Sequence, residues 1–245
     1  MKRFELLFLG LCLACGKAET VETPPPPPPS PPAGGPRSYT TDFPRTENPI
    51  SDNGQWINGG TVGISWTDVS TTPGHAIGHQ VGDSYTDATA LLTGGWGPDQ
   101  KATATVFVSQ ALNDDCYSEV ELRLRSTIKP HDIHGYEVSF KVSDAAVAYL
   151  IIVRWNGPLG DFTYLLQAHG AQYGVRNGDV LSATIVGSVI TAYKNGVQMG
   201  QATDGTYASG SPGMGFNLEN AAPGCRGTND RYGFSRFEAT DSIAP

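Results

Sequence analysis

The sequence predicts an all-β protein, an antiparallel β-sandwich, on three observations. Short runs rich in Val, Ile, Thr, Tyr and Phe recur roughly every 8–15 residues. Turn signals separate them, and no long stripe of helical period interrupts them. The runs fall, in order, at 39–43, 62–67, 76–81, 87–92, 101–110, 117–126, 134–143, 147–156, 161–168, 179–186, 189–194, 197–202, 213–218 and 231–240. The stretch from Asp144 to Ile151 could be taken for a helix, but it runs on into Ile152, Val153 and Trp155, which favour a strand. The turns are Asn156-Gly157-Pro158, Asn177-Gly178-Asp179, Asn195-Gly196 and Ser211-Pro212-Gly213. Asn-Gly between alternating runs is a strong hairpin signal, because both residues tolerate positive φ.

Among these runs, Tyr117 to Ser126 reads YSEVELRLRS. As a strand it puts Val120, Leu122 and Leu124 on one face and Glu119, Glu121, Arg123 and Arg125 on the other. The apolar face belongs between two sheets. The charged face points the other way, either neutralising itself in side-chain pairs or forming a recognition surface.

The first 15 residues, MKRFELLFLGLCLAC, form a separate unit. Lys2 and Arg3 precede an apolar core far shorter than the ~20 residues of a membrane span, the pattern of an export signal. Ala14-Cys15 resembles the lipobox of bacterial lipoproteins, in which the cysteine, here Cys15, becomes the lipidated first residue. Cys12 stands where such boxes usually carry Leu, and ordinary cleavage near Ala14 or Ala18 is the alternative. Residues 16–38 read as a disordered proline-rich linker, with nine of the 18 prolines between Pro24 and Pro36. In polyproline II form that run spans roughly 40 Å, at about 3.1 Å per residue. It suits a stalk that holds residues 39–245, read as one domain, away from a membrane.

Cys116 and Cys225 are the two cysteines left in the body, an even number in a compartment that permits disulfides. Both sit beside loop-forming residues, so a disulfide is preferred to two separate buried thiols. The chain carries 16 Lys and Arg against 24 Asp and Glu, and losing Lys2, Arg3 and Glu5 leaves 14 against 23. With no basic block, nucleic acid is set aside as a partner. Neutral glycans, cations or proteins suit the charge better. No nucleophile elbow, phosphate loop or dinucleotide fingerprint appears.

A family resemblance rests on Gly178 to Asn217, GDVLSATIVGSVITAYKNGVQMGQATDGTYASGSPGMGFN, with GFSRFEATD at 233–241 and DFPRTENPISDNGQWING at 42–59. Together these resemble the closing hairpins, returning edge strand and entry segment of concanavalin A-like (laminin-G-like) jelly rolls of secreted bacterial proteins. The resemblance implies a jelly roll over nearly all of 39–241, with ligands on the concave sheet and its mouth loops. It implies no single activity, because that fold hosts lectins, glycosidases, lyases and adhesion modules. Such domains often tie their chain ends through calcium. Structural calcium is the one cofactor it suggests, with Asp42 and Asp241 as candidate ligands and Asn113-Asp114-Asp115 as another option.

Three chemistries compete. Laminarinase-type jelly rolls carry Glu-x-Asp-x-x-Glu or Glu-x-Asp-x-Glu on one strand; here Glu119 and Glu121 share a face, but Arg123 and Arg125 replace the third acid. Alginate-lyase jelly rolls pair an Arg-x-Glu-x-Arg-like strand with a Gln-x-His element and a Tyr. SEVELRLR resembles that strand loosely, and His134 and Tyr136 follow on the next strand, but no Gln-x-His is read. Binding alone needs aromatic rings for sugar faces and polar groups for hydroxyls. Trp96 and Trp155 lie in Gly/Pro-flanked loop mouths where a ring can face ligand, whereas Trp56 and Trp66 read as core. The five histidines show no metal spacing. The expectation is therefore an exported, lipid-anchored glycan-binding or adhesion module without catalysis. A polysaccharide lyase or glycoside hydrolase is the alternative. Candidate ligand-binding residues are Glu119, Glu121, Arg123, Arg125, His134, Tyr136, Trp96 and Trp155.

Overall fold

The computed structural model describes residues 35–62, 66–79, 86–219, 225 and 230–243. The expected export signal, Cys15 and most of the expected linker lie outside these residues. The strands are β1 (Ser38–Thr41), β2 (Trp56–Asn58), β3 (Val69–Thr72), β4 (His75–Gly78), β5 (Ala88–Leu92), β6 (Gln100–Val108), β7 (Tyr117–Lys129) and β8 (Asp132–Lys141). They continue with β9 (Tyr149–Gly157), β10 (Phe162–His169), β11 (Val180–Val186), β12 (Val189–Lys194), β13 (Val197–Thr203), β14 (Ser211–Glu219) and β15 (Tyr232–Thr240). One helical turn, α1 (Gly59–Val62), follows β2.

Two antiparallel sheets stack as the expected sandwich. One runs β13-β12-β11-β6-β15-β4-β3, with β1 also paired to β15; the other runs β10-β9-β8-β7-β14-β5-β2. Alternation decides what meets between them. Val120, Leu122 and Leu124 of β7 join Val138 and Phe140 of β8 and Met214 and Phe216 of β14. Opposite them lie Ala104 and Val106 of β6, Leu181 and Ile185 of β11, and Phe234 and Phe237 of β15. The Asn195-Gly196 hairpin joins β12 to β13 with φ of 52° and 78°, the positive values a tight right-twisted hairpin requires.

Two expectations shift. The run at 62–67 holds no described strand: Val62 ends α1, residues 63–65 lie outside the described residues, and Thr67 makes an isolated bridge to Ala88 before β3 pairs at Val69–Thr72. Trp56–Asn58 was not read as a strand, because three residues are too few to display a period. On β7, the alternation fails at Arg125, whose φ is +47°. The β7–β8 register slips between Leu124 and Thr127. Opposite the bulge, a Cβ on Gly135 would lie 2.5 Å from the Ser126 Cα, so only glycine fits there.

The expected disulfide joins Cys116, at the start of β7, to Cys225 across 109 residues. Closing a loop of that length in the unfolded chain is worth about 4–5 kcal/mol on the chain-entropy account. A Cys116→Ser/Cys225→Ser double variant should lose stability on that scale in urea unfolding. A loss below about 1 kcal/mol would refute the entropic reading.

Candidate functional site

On β7 the alternation turns Glu119, Glu121 and Arg123 to the outer face of the seven-stranded sheet. That face is dry over much of its area: Glu121 and Arg123 are 0% exposed and Glu119 only 6%. The cover is the segment around α1. Trp66 lies over the guanidinium, with Arg123 Cζ 4.5 Å from the ring centroid. Trp155 packs edge-on against Trp66 at 4.7 Å. Leu91, Ile128, Ile133 and Val153 complete this second apolar cluster.

Under the cover, one guanidinium serves three acids. Arg123 donates to Glu137 at 2.7 Å, to Asp87 at 3.3 Å and to Glu121. Glu137 also accepts from the Trp155 indole at 2.7 Å and from Ser139. Burial, and next the Glu137 charge, push the Asp87 and Glu121 carboxyls well above the usual range despite Arg123. Glycine at 215 on β14 makes room, because a Cβ there would fall on the Glu121 carboxylate and 2.9 Å from Arg123 Nη2.

Beside this cluster the face opens into a groove of about 370 Å³. Asp87, Glu119, Glu137 and Asn217 offer acceptors in it. Tyr117, Tyr149, Trp155, Phe162 and Tyr164 supply rings, and Gln167 and His169 complete one side. Glu119 accepts from the Tyr149 hydroxyl at 2.5 Å and from Asn217 Nδ2 at 2.7 Å. Burial, then the Glu119 charge, push the Tyr149 hydroxyl far up, so it remains a neutral donor. Lys141 donates to the Asp114 carbonyl at 2.7 Å and lies over the Tyr117 and Tyr149 rings.

The structure thus brings together Glu119, Glu121, Arg123 and Trp155, of which Glu119 and Trp155 line the groove. The other candidates lie elsewhere. The bulge turns Arg125 out of the ladder, and it donates to the carbonyls of Pro98, Tyr207 and Gly187. Tyr136 pairs with Leu124, faces the inter-sheet core and bonds Asp204 at 2.8 Å. His134 lies 2.8 Å from Asp132 and against the Tyr207 ring. Trp96 is 5% exposed, its indole bonded to the Thr93 carbonyl. Trp56 packs in the main core, as read.

The calcium ligands suggested by the resemblance do not fit. Asp42 follows the β1 end that pairs with Phe237 and bonds Arg236, whereas Asp241 follows the β15 end that pairs with Ser38 and bonds the Arg37 and Gly97 amides. A whole strand length separates them. In Asn113-Asp114-Asp115, the Asp114 carboxylate accepts from Ser143, and Asn113 Oδ1 caps the Asp115 amide. Among the described residues, Asp87, Glu121 and Glu137 have carboxylate oxygens within 4.8 Å of one another. Arg123 already supplies their common cation.

Sequence reasoning missed most of the groove. Gln167-Ala168-His169 is a Gln-x-His element, contrary to the reading above. A bulge between Tyr164 and Leu166 brings Gln167 and His169 to the face that carries Phe162 and Tyr164. The alternating Tyr149, Ile151, Val153 and Trp155 of β9 were the available signal for this face.

No protein-family model and no curated protein sequence matches the chain. Solved structures do. The Emp46p carbohydrate recognition domain in its potassium-bound form superposes at TM-score 0.54 and 10% identity, over 83% of this chain and 96% of its own. An endo-acting O-glycanase, expressed by prominent members of the human gut microbiota to initiate mucin breakdown, gives 0.53 at 9%, over 82% and 97%. The Emp47p carbohydrate recognition domain gives 0.50 at 11%, over 83% and 96%. The domain is a concanavalin A-like jelly roll, as the sequence resemblance implied. At these identities the likeness carries the fold and leaves the function to the site.

The buried acids set a pH dependence. Asp87 and Glu121 titrate higher folded than unfolded, so the folded state holds protons that the unfolded state releases. Their contribution is full below the unfolded range of about 4 and is lost as pH rises through the folded values. Glu121→Gln, which mimics the protonated acid, should flatten the wild-type fall in stability as pH rises above the unfolded carboxylate range of about 4. Equal slopes in urea titrations of the two proteins would rule this out. Gly215→Ala should cost about 1–3 kcal/mol by overpacking, read by the same unfolding assay.

Proposed function

We propose that this protein is an exported glycan-binding module whose ligand lies in the groove. The observation that carries the reading is the pairing of rings with fixed acceptors in one cavity of about 370 Å³. Sugar rings lay their CH faces on aromatic side chains, while their hydroxyls donate to carboxylates and amides. The volume falls in the usual range for small-molecule sites, roughly 300–1,000 Å³. Tyr117 and Tyr164, 50% and 49% exposed, are the rings a ligand reaches first.

The acceptors are held in place. A hydrolase needs a free proton donor opposite a second carboxylate. Here Glu121 is sealed beneath the face, Arg123 stands at the next outward position, and both Glu119 oxygens accept hydrogen bonds. Fixed acceptors suit recognition. The second reading, a polysaccharide-degrading enzyme, draws on Tyr149, Gln167 and His169 facing the same groove. Export with lipidation at Cys15 and display on the Pro24–Pro36 stalk complete the proposal. The Cys116–Cys225 disulfide supports an oxidising destination.

A glycan array run beside a product-release assay on the same polymers separates the readings. Binding without new chain ends or unsaturated products is expected; product release makes the protein an enzyme, and a blank array removes the glycan reading. Tyr164→Ala and Tyr117→Ala should each weaken binding about tenfold, the scale of a lost ring contact, with unchanged thermal midpoints. Unchanged affinity in both would move the ligand elsewhere.

A further inference from the structure

We infer that the groove selects glycans carrying free amino groups, such as glucosamine or galactosamine chains, with the ammonium seated between Asp87, Glu119, Glu137 and Asn217. The inference rests on the glycan-binding reading and names the ligand class for the same site.

Besides His169 and three tyrosines, the ionisable side chains that line the groove are acids. Asp87, Glu119 and Glu137 line it, and Glu121 lies directly behind. The two cations nearby are engaged. Arg123 is shared by three carboxylates under Trp66, and Lys141 is bonded to the Asp114 carbonyl. Four acids share two cations in a buried place, and burial with the Glu137 charge makes Asp87 and Glu121 hold protons there. An ammonium seated beside them supplies positive charge that can take the place of those protons.

Asn217 points independently to a donor. It lines the groove at 8% exposure, and its Nδ2 is committed to Glu119. That bond fixes the amide orientation and leaves Oδ1 as a buried acceptor without a partner among the described residues. An ammonium carries three N–H donors and no acceptor. It can satisfy Oδ1 and neighbouring carboxylates together through charge-assisted bonds. The Tyr149 and Trp155 rings in the same wall add cation–π attraction. An N-acetyl group brings one N–H and no charge. A uronate or sulfate would bring a negative charge to a groove lined by carboxylates.

Calorimetry with three oligosaccharides of equal length tests this: glucosamine, N-acetylglucosamine and glucose β-linked chains, at a pH where the amine is protonated. The glucosamine chain should bind at least about tenfold more tightly than either other, the scale of charge-assisted bonding. Its affinity alone should fall as salt is raised. Glu119→Gln, checked for folding by its thermal melt, should reduce the preference to about threefold or less. If that variant does not fold, the wild-type salt series decides. Neutral chains that bind as tightly as the amine overturn the amine inference and leave the glycan reading standing. Failure of all three while other array glycans bind does the same. Failure of all three on a blank array overturns both.

Discussion

One buried guanidinium organises the outer face of the seven-stranded sheet. Arg123 on β7 reaches Glu137 on β8, Asp87 ahead of β5 and its own neighbour Glu121, and Trp66 closes over it. Burying such a group is costly, and ion pairing at most offsets the cost. Its structural yield is register. Shifting β7 by one residue against β8 or β14 would bring Arg123 and the glutamates into the inter-sheet core and expose Val120 and Leu122. Few misregistered pairings can survive that penalty. The groove inherits the order, because Glu137, a wall of the groove, is held from behind by the same guanidinium.

Bulges then decide which side chains reach that face. At Arg125 the slip in β7 removes a base from the ladder and sends it to clamp three loop carbonyls. At Leu165 the slip in β10 has the opposite result, adding Gln167 and His169 to a face already carrying Phe162 and Tyr164. A bulge changes parity by one residue. The two ends of each strand therefore follow different rules, though the sequence reads as one unbroken run.

This explains what was legible. The fold was, because strand content, the Asn195-Gly196 turn and the apolar face of Tyr117–Ser126 depend on local pattern. The disulfide followed from cysteine number and position. The site was legible only in part. Glu119 and Glu121 appeared as a same-face pair, but nothing local says that Trp66, some 55 residues earlier in the chain, will roof them. Burial on the outer face depends on long-range cover. Tyr136 and His134 were misplaced because the Arg125 bulge and Gly135 carry no periodic signature. Asp87 and Asn217 stood out in neither composition nor spacing; they matter because β14 lies between β5 and β7.

The contrast between binding and catalysis reduces to what each carboxylate is free to do. A catalytic acid must gain and lose a proton as the reaction proceeds. Glu119 accepts from Tyr149 and Asn217, and Glu137 accepts from Arg123, Trp155 and Ser139. Each of these bonds fixes the direction of a carboxylate oxygen. Groups held in this way serve well as fixed acceptors. Asp87 and Glu121 do hold protons more tightly, but Glu121 is sealed and Asp87 bonds the guanidinium. Chemistry in this groove would thus fall to Tyr149 and His169, whose rings lie 6.0 Å apart. The Tyr149 hydroxyl keeps its proton far above the neutral range and donates a hydrogen bond through it to Glu119. With the Tyr149 proton held and the Glu119 and Glu137 oxygens engaged, the groove presents hydrogen-bonding groups fixed in direction, the arrangement on which the proposed binding role rests.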